Sequence, residues 1–284
     1  MRRCFVVLFL ILSNLCAINL LLGQEGQNIP VNKTVNRGTL FGVGSMILTD
    51  TYLSPLEYNG LSLSLFYERL HATSWFNDKM LLQQQAFLQT ASTDNPTSNS
   101  KTYYGNIDYH LHGFYPLIHA NSFRLLGGVG AAFSIGGIYN IRNSNNPAQL
   151  KTSLNVNGSV LAFYKWKQLT FRWQVTSPLL GAFFSPDYGQ SYYEIFVLGN
   201  DSGVVHFASP ANQRGLRNYI TVDCPIGKAT LRAGYLRNYY RTKTNNLITS
   251  ISSHQFVIGI ALESLTFGRK DIKNNEWLKS VYSE

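Results

Sequence analysis

Residues 60–70 read Gly-Leu-Ser-Leu-Ser-Leu-Phe-Tyr-Glu-Arg-Leu, an alternation that an extended strand sorts into two faces. Successive side chains of a strand point to opposite sides. Leu61, Leu63, Leu65 and Tyr67 therefore line one face, and Ser62, Ser64, Phe66 and Glu68 the other. The same period of two returns with Ile107, Tyr109 and Leu111 against Asn106, Asp108, His110 and His112. It returns again with Val156, Val160, Ala162, Tyr164 and Trp166 against Asn155, Asn157, Ser159 and Lys165, then with Leu169, Phe171, Trp173 and Val175 against Thr170, Arg172, Gln174 and Thr176. Several of these runs reach a dozen residues, about twice the usual strand of a soluble sandwich. Length, one greasy face and Tyr or Trp at the ends fit strands that cross a bilayer with an apolar band between aromatic girdles. The expected fold is all-β, an antiparallel up-and-down transmembrane β-barrel. An extracytoplasmic sandwich or lipocalin-like barrel is the alternative, and its strands would be shorter.

Composition agrees. The chain has 284 residues, of which 14% are charged and 13% aromatic, with 23 Gly and 9 Pro. A typical soluble domain carries about 25% charged residues. A bundle of spanning helices needs several runs of about 20 apolar residues, and only the N-terminus has one. There Arg2 and Arg3 precede an apolar run that ends at Gly23, which reads as a signal peptide over 1–23. A single membrane anchor is the competing reading. Cys4 and Cys16 leave with such a signal, so Cys224 would remain alone and no internal disulfide could form. A periplasmic N-terminal segment over 24–38, a barrel over 39–267 and a C-terminal tail over 268–284 complete the expected organisation.

Ten strand segments follow: 39–48, 60–70, 79–91, 101–115, 122–140, 151–166, 169–176, 213–224, 230–241 and 250–267. The tight turns at 167–168 and 225–228 suit the periplasmic side, and an even count would keep both termini there. The polar stretches 92–100, 142–149 and 243–249 are candidate outer loops, although they are not expected all to share one side. The connection 177–212 is unusually long. Its parts 191–198 and 204–208 read as a further hairpin, which makes twelve strands the alternative.

Over the mature chain the pattern resembles bacterial outer-membrane β-barrels. The signal ending Gly23-Gln24 and the stretch Ser185-Pro186-Asp187-Tyr188-Gly189-Gln190-Ser191-Tyr192-Tyr193-Glu194-Ile195-Phe196 look like poorly characterised outer-membrane proteins of Bacteroidetes. The resemblance implies an uncharacterised barrel in the outer membrane of a Gram-negative cell. Barrels of this kind usually end in an aromatic residue, whereas this chain continues past Phe267.

Chemistry is sparse. Asn106, Asp108, His110 and His112 share the lumen face, and a carboxylate beside an imidazole can raise its basicity. Asp108, His110 and His112 are thus the catalytic candidates for a barrel-embedded hydrolase. Ten-stranded barrel proteases, which this resembles in size, also need a second acidic pair, and no Asp-x-Asp occurs. Barrel lipases and deacylases pair His with Ser two residues on, and no His here has that Ser. The plainer expectation is a lumen plug of Asn106, Arg124, Arg172, Arg217, Asp223 and Arg232, joined by Glu68, Lys165 and Glu263, since small barrels fill their interiors with side chains. No cofactor and no metal site is expected, no Cys/His spacing suggesting zinc. Lys and Arg form no stripe, so nucleic acid is not an expected partner. Arg142, Lys151, Arg237, Arg241 and Lys243 can instead meet lipid and lipopolysaccharide phosphates. Aromatic residues Phe183, Phe184, Tyr188, Tyr192, Tyr193, Phe196 and Phe207 in 177–212 are expected to bind a protein or small-molecule partner, or to fold down as a lid. The expected role is therefore structural, adhesive or partner-binding without catalysis, a hydrolase or narrow solute pore being the alternatives.

Overall fold

The computed structural model describes residues 34–265, apart from 74–79, 121, 145 and 228. The signal expected over 1–23 and the tail over 268–284 lie outside the described residues. The chain forms β1 (Thr34–Asp50), β2 (Ser54–Ala72), β3 (Leu81–Asp94), β4 (Lys101–His119), β5 (Phe123–Asn140), β6 (Ala148–Trp166) and β7 (Leu169–Phe184). One short helix follows, α1 (Tyr192–Phe196), then β8 (Val205–Ala208), β9 (Gln213–Ile226), β10 (Ala229–Thr244) and β11 (Leu247–Leu265). β1 takes in residues 34–38, expected ahead of the barrel.

Neighbouring strands pair antiparallel, β6 with β7, and β11 returns to β1 from Thr34↔Leu265 to Asp50↔Thr249. The sheet is closed. β7 has two partners on one edge: β9 from Thr170↔Asp223 to Thr176↔Arg217, and β8 from Gly181↔Ala208 to Phe184↔Val205. β8 and β9 run the same way along β7. They are one wall strand interrupted at 209–212, and the barrel has ten strands rather than twelve.

The connection 177–212 is accordingly shorter than its sequence suggested. Residues 177–184 extend β7 and 205–208 rejoin the wall, which leaves 185–204 as the loop. The expected hairpin at 191–198 and 204–208 is instead α1 plus β8. Pro178 explains why the pattern broke off. It has no backbone N–H to give a ladder, and the β6–β7 register shifts beside it, between Val156 and Asn157.

One end of the barrel, here the terminal end, carries Thr34, Leu265, the turn 167–168 and the junction of β9 with β10. The other, the loop end, carries 51–53, 95–100, 141–147, 185–204 and 245–246. All three polar stretches thus fall at the loop end, contrary to expectation, because each follows an odd-numbered strand of the ten in the wall. Asn245 and Asn246 close β10–β11 with φ of 49° and 59°, the left-handed pair of a type I′ hairpin turn.

The two faces separate as period two requires. Leu61, Leu63, Leu65, Tyr67, Ile107, Tyr109, Val156, Val160, Trp173 and Ile220 are exposed on the outside. Ser62, Ser64, Phe66, Glu68, Arg172, Gln174, Tyr219 and Asp223 are buried in the lumen. In a soluble protein that outer surface would be a very large apolar patch; against lipid it is the expected contact. Close strand approach needs glycine at several points. A Cβ on Gly44 would stand 1.8 Å from the His254 carbonyl oxygen, and one on Gly130 2.1 Å from that of Leu111.

Candidate functional site

The lumen is filled in layers that follow the chain outward. Nearest the terminal end, Leu70, Leu81, Phe114, Leu126, Leu161 and Phe163 form a buried apolar cluster. Next along β2 comes Glu68. Its Oε1 accepts from Nη1 of Arg172 at 2.7 Å and also from Nη1 of Arg232. Arg232 holds Asp223 with two further bonds, Nε to Oδ1 at 2.7 Å and Nη2 to Oδ2 at 2.6 Å. All four side chains are at most 3% exposed. Among the described side chains two acids meet two guanidinium groups, the pairing that lets charges remain buried. Gln83 and Gln85 donate to Gln174 beside Arg172 and extend the polar layer across the bore. Above it Leu40, Phe66, Phe87, Tyr219, Leu236 and Val257 make a second apolar cluster.

Over that cluster lies a cavity of about 120 Å³. Arg217 organises its floor. Its Nη2 donates to Asp108 Oδ2 at 2.6 Å, its Nε to Asn238 Oδ1 at 2.8 Å, and its guanidinium lies 4.9 Å from the centre of the Phe87 ring. Asp108 also accepts from Asn106 Nδ2 at 2.6 Å. His110 Nε2 stands 3.2 Å from Arg217 Nη1, and the His110 ring lies 5.6 Å from that of His112. Asp108 is therefore bonded to Asn106 and Arg217 instead of orienting His110. The sequence brought these residues to one face, but Arg217, from the far side of the ring, stands between the two expected partners.

The expected plug residues Asn106, Arg124, Arg172, Arg217, Asp223 and Arg232 all point inward. Lys165 shares the inward parity of β6 but lies at its terminal end, where its side chain is exposed and not buried in the plug. The Glu263 side chain lies outside the described residues. Lys151, expected at the rim for lipid phosphates, is buried. Its Nζ is 3.0 Å from Asp50 and donates to Thr249 Oγ1. The position is odd in the β6 pattern, which turns it inward. Arg142, Arg237, Arg241 and Lys243 are exposed.

Met46, Leu48, Tyr104, Ile138 and Ile251 narrow the bore above the cavity, and Tyr52 and Leu53 of the β1–β2 turn close over them. The loop 185–204 then crosses the rim. Ser191 caps α1 by accepting from the Glu194 N–H at 3.2 Å, and Glu194 Oε2 accepts from the Ser191 N–H at 2.7 Å, a reciprocal capping box. The Tyr192 hydroxyl accepts from the Leu150 N–H at 2.6 Å, and its ring meets Tyr52 edge-on at 6.2 Å. The Tyr52 hydroxyl donates to the Gln190 carbonyl at 2.7 Å. Burial, with Asp50 and Glu194 adding to it, pushes the Tyr52 phenol up to about 12. Burial raises Tyr192 as well.

The loop aromatics divide into two sets. Phe183 is buried, and Phe184 and Tyr192 pack with Ile195, Val204 and Leu150. Tyr188, Tyr193, Phe196 and Phe207 are strongly exposed, with Val197, Leu198 and Val205 beside them. Sequence reasoning read 204–208 as a strand but paired it with 191–198 instead of β7, and it missed α1. The signal for the helix was present as Ser191-x-x-Glu194 ahead of Ile195 and Phe196.

A family model described as "Protein of unknown function (DUF3316)" matches residues 4–271. The chain belongs to the DUF3316 family. No curated protein matches it. Among solved structures this DUF3316 chain is similar to the outer membrane protease OmpT from Escherichia coli, at 8% identity, over 85% of this chain and 99% of that one, with a TM-score of 0.43. It is also similar to the transport unit of the autotransporter AIDA-I from Escherichia coli, at 9% identity over 90% and 97% of the two chains, TM-score 0.44. The translocator domain of the autotransporter NalP from Neisseria meningitidis follows at 10% identity over 88% and 93%, TM-score 0.38. The likeness concerns the barrel fold, and no role carries over from it.

Proposed function

We propose that this DUF3316 chain is an integral barrel of a bacterial outer membrane, closed to through-flow, that works through its loop end as a structural, adhesive or partner-binding protein. Export by the signal over 1–23 and a Gram-negative host of the Bacteroidetes kind belong to the same proposal. The observation that carries it is the stack of layers across the bore. An apolar cluster at Leu70 and Phe114, the Glu68–Arg172–Arg232–Asp223 layer and the Phe66–Tyr219 cluster succeed one another, each assembled from side chains with little or no exposure. A solute pore needs an open path, and the closely packed, buried side chains of these layers argue against one. With the terminal end in the periplasm, 185–204 and the exposed Tyr188, Tyr193, Phe196 and Phe207 face outward, where a protein or small-molecule partner and lipopolysaccharide are met.

The hydrolase alternative loses support because both Asp108 oxygens are engaged by Asn106 and Arg217. Purified protein in planar bilayers is expected to give no conductance steps, while fractionating with the outer membrane and migrating differently on boiled and unboiled gels. Regular steps from the wild-type chain would overturn the closed-bore reading, and a soluble product that never needs detergent would overturn the membrane assignment.

A further inference from the structure

The cavity above the plug is not confined to the lumen. Its lining includes inward-facing Asn155, Asn157 and Arg217, but also Leu216 and Tyr239, which belong to the outward rows of β9 and β10. It therefore reaches the wall strands themselves. The place is the seam between β7 and β9 beyond Thr176↔Arg217, where the register ends and resumes only at Gly181↔Ala208. Pro178 supplies no N–H there, and 209–212 interrupts the opposite strand. What joins the two sides is the Ser177 hydroxyl donating to the Gly215 carbonyl at 2.9 Å, and packing of Pro178 against Gly215.

Outside, the seam opens among exposed apolar groups. Leu180 pairs beside Val156 and Ala182 beside Leu154, the outermost exposed apolar pair in the outward row of β6, and Leu179, Leu180, Leu216 and Phe207 are exposed around it. Inside, the environment is polar and its charges are already matched, Arg217 with Asp108 and Lys151 with Asp50. Buried oxygens remain without a hydrogen-bond partner in the protein: Oδ1 of Asn155 and of Asn157, residues 8% and 3% exposed. Nδ2 of Asn238 is a donor in the same condition. Leaving a buried amide group unpartnered is costly, and a ligand offering both donors and acceptors would relieve that cost.

We infer that the cavity binds the hydroxyl-bearing, neutral head of a single-tailed amphiphile, which enters sideways from the outer leaflet through the β7–β9 seam and leaves its alkyl chain against Leu179, Leu180 and Leu216. A volume of about 120 Å³ suits a small head alone, since sites for whole drug-sized ligands start near ~300 Å³. Hydroxyls can donate to the two asparagine oxygens and accept from Asn238. An anionic head finds no uncompensated cation inside. The inference rests on the closed-bore reading, because a bore open from end to end would offer the head no floor.

The test uses the full mature barrel in phosphatidylcholine nanodiscs with 1-monolauroylglycerol, laurate and glycerol as probes, read by native mass spectrometry. Monolauroylglycerol is expected to bind one per barrel, laurate and glycerol at least tenfold more weakly. In a Cys224→Ser background, Pro178→Cys with Gly215→Cys closes the seam by a disulfide: binding is expected to vanish when oxidised and to return on reduction. Should that bridge not form, Asn157→Leu, with heat-modifiable mobility retained, is expected to weaken binding about tenfold. Equal binding of laurate, full binding by the bridged protein, an unaffected Asn157→Leu variant, or no binding by wild type would each overturn the inference. Conductance with binding intact would instead overturn only the closed bore.

Discussion

Glu68→Ala is the perturbation that most directly tests how the lumen is held. The wild-type layer contains two carboxylates and two guanidinium groups, and Glu68 is the one that both Arg172 and Arg232 share. Its removal takes one negative charge from the layer and the carboxylate that both guanidinium groups share, while Arg232 keeps Asp223 and Asn36 and Arg172 keeps the neutral oxygen of Gln174 at 3.2 Å. Breaking a buried ion pair from one side costs about 3–5 kcal/mol. For a chain of this size each kcal/mol moves the midpoint by roughly 2–4 °C, so the unfolding transition should fall by ~6–20 °C. The assay is the temperature at which the compact band on unboiled gels converts to the unfolded one, with urea unfolding in micelles for the free energy. Glu68→Gln should recover part of the loss, because an amide oxygen still accepts from one arginine. Adding Arg172→Met to Glu68→Ala should recover more, as the guanidinium that lost its carboxylate goes too, while Arg232 keeps Asp223. A change under 1 kcal/mol for Glu68→Ala, or a double variant worse than the single by several kcal/mol, would refute the reasoning that charge balance holds the layer.

Two further outcomes follow from the wall and the cap. Gly44→Ala places a methyl group 1.8 Å from a backbone carbonyl oxygen that no side-chain rotation can move, so the yield of heat-modifiable barrel should drop several-fold, whereas alanine at Gly105, which meets nothing within 4 Å, should leave it unchanged. Because Tyr52 in the folded loop ionises only at about 12, against ~10 for a free phenol, its contribution is complete below pH 10 and declines as pH rises towards 12. Proteolysis of 185–204 should accelerate across that window, and Tyr52→Phe should remove most of the dependence; an unchanged pH profile in that variant would refute the role of Tyr52.

The barrel was legible because lipid imposes the same two-residue period on every strand; Leu61 through Tyr67 and Val156 through Tyr164 declare their side without reference to any neighbour. Lumen contents were legible only as a class. Arg172, Asp223 and Arg232 are inward by parity, but their meeting at Glu68 depends on the stagger of strands far apart in sequence. Apolar layers at Phe66, Phe87 and Phe114 break the polar-inside rule, since a narrow barrel must be packed as well as neutralised. The Asp108–His110 pairing failed for a related reason. Parity places two side chains on one face, while the choice of partner belongs to Arg217 across the ring. The loop was misjudged because Pro178 and the insertion at 209–212 conceal two segments of wall.

The interrupted strand also bears on how the cylinder moves. The β1–β11 joint is sewn along seventeen residue pairs and the β7–β9 joint along seven, with four more at β8. A ring with one weakly sewn joint does not breathe evenly: thermal distortion concentrates there, turning a circular cross-section oval along a fixed diameter. Amides of Leu179 and Leu180 should thus exchange with solvent deuterium well before those of Phe41 or Ile258, and any force that splays this barrel, from lateral membrane pressure to the machinery that inserts it, has a preassigned line along which to act.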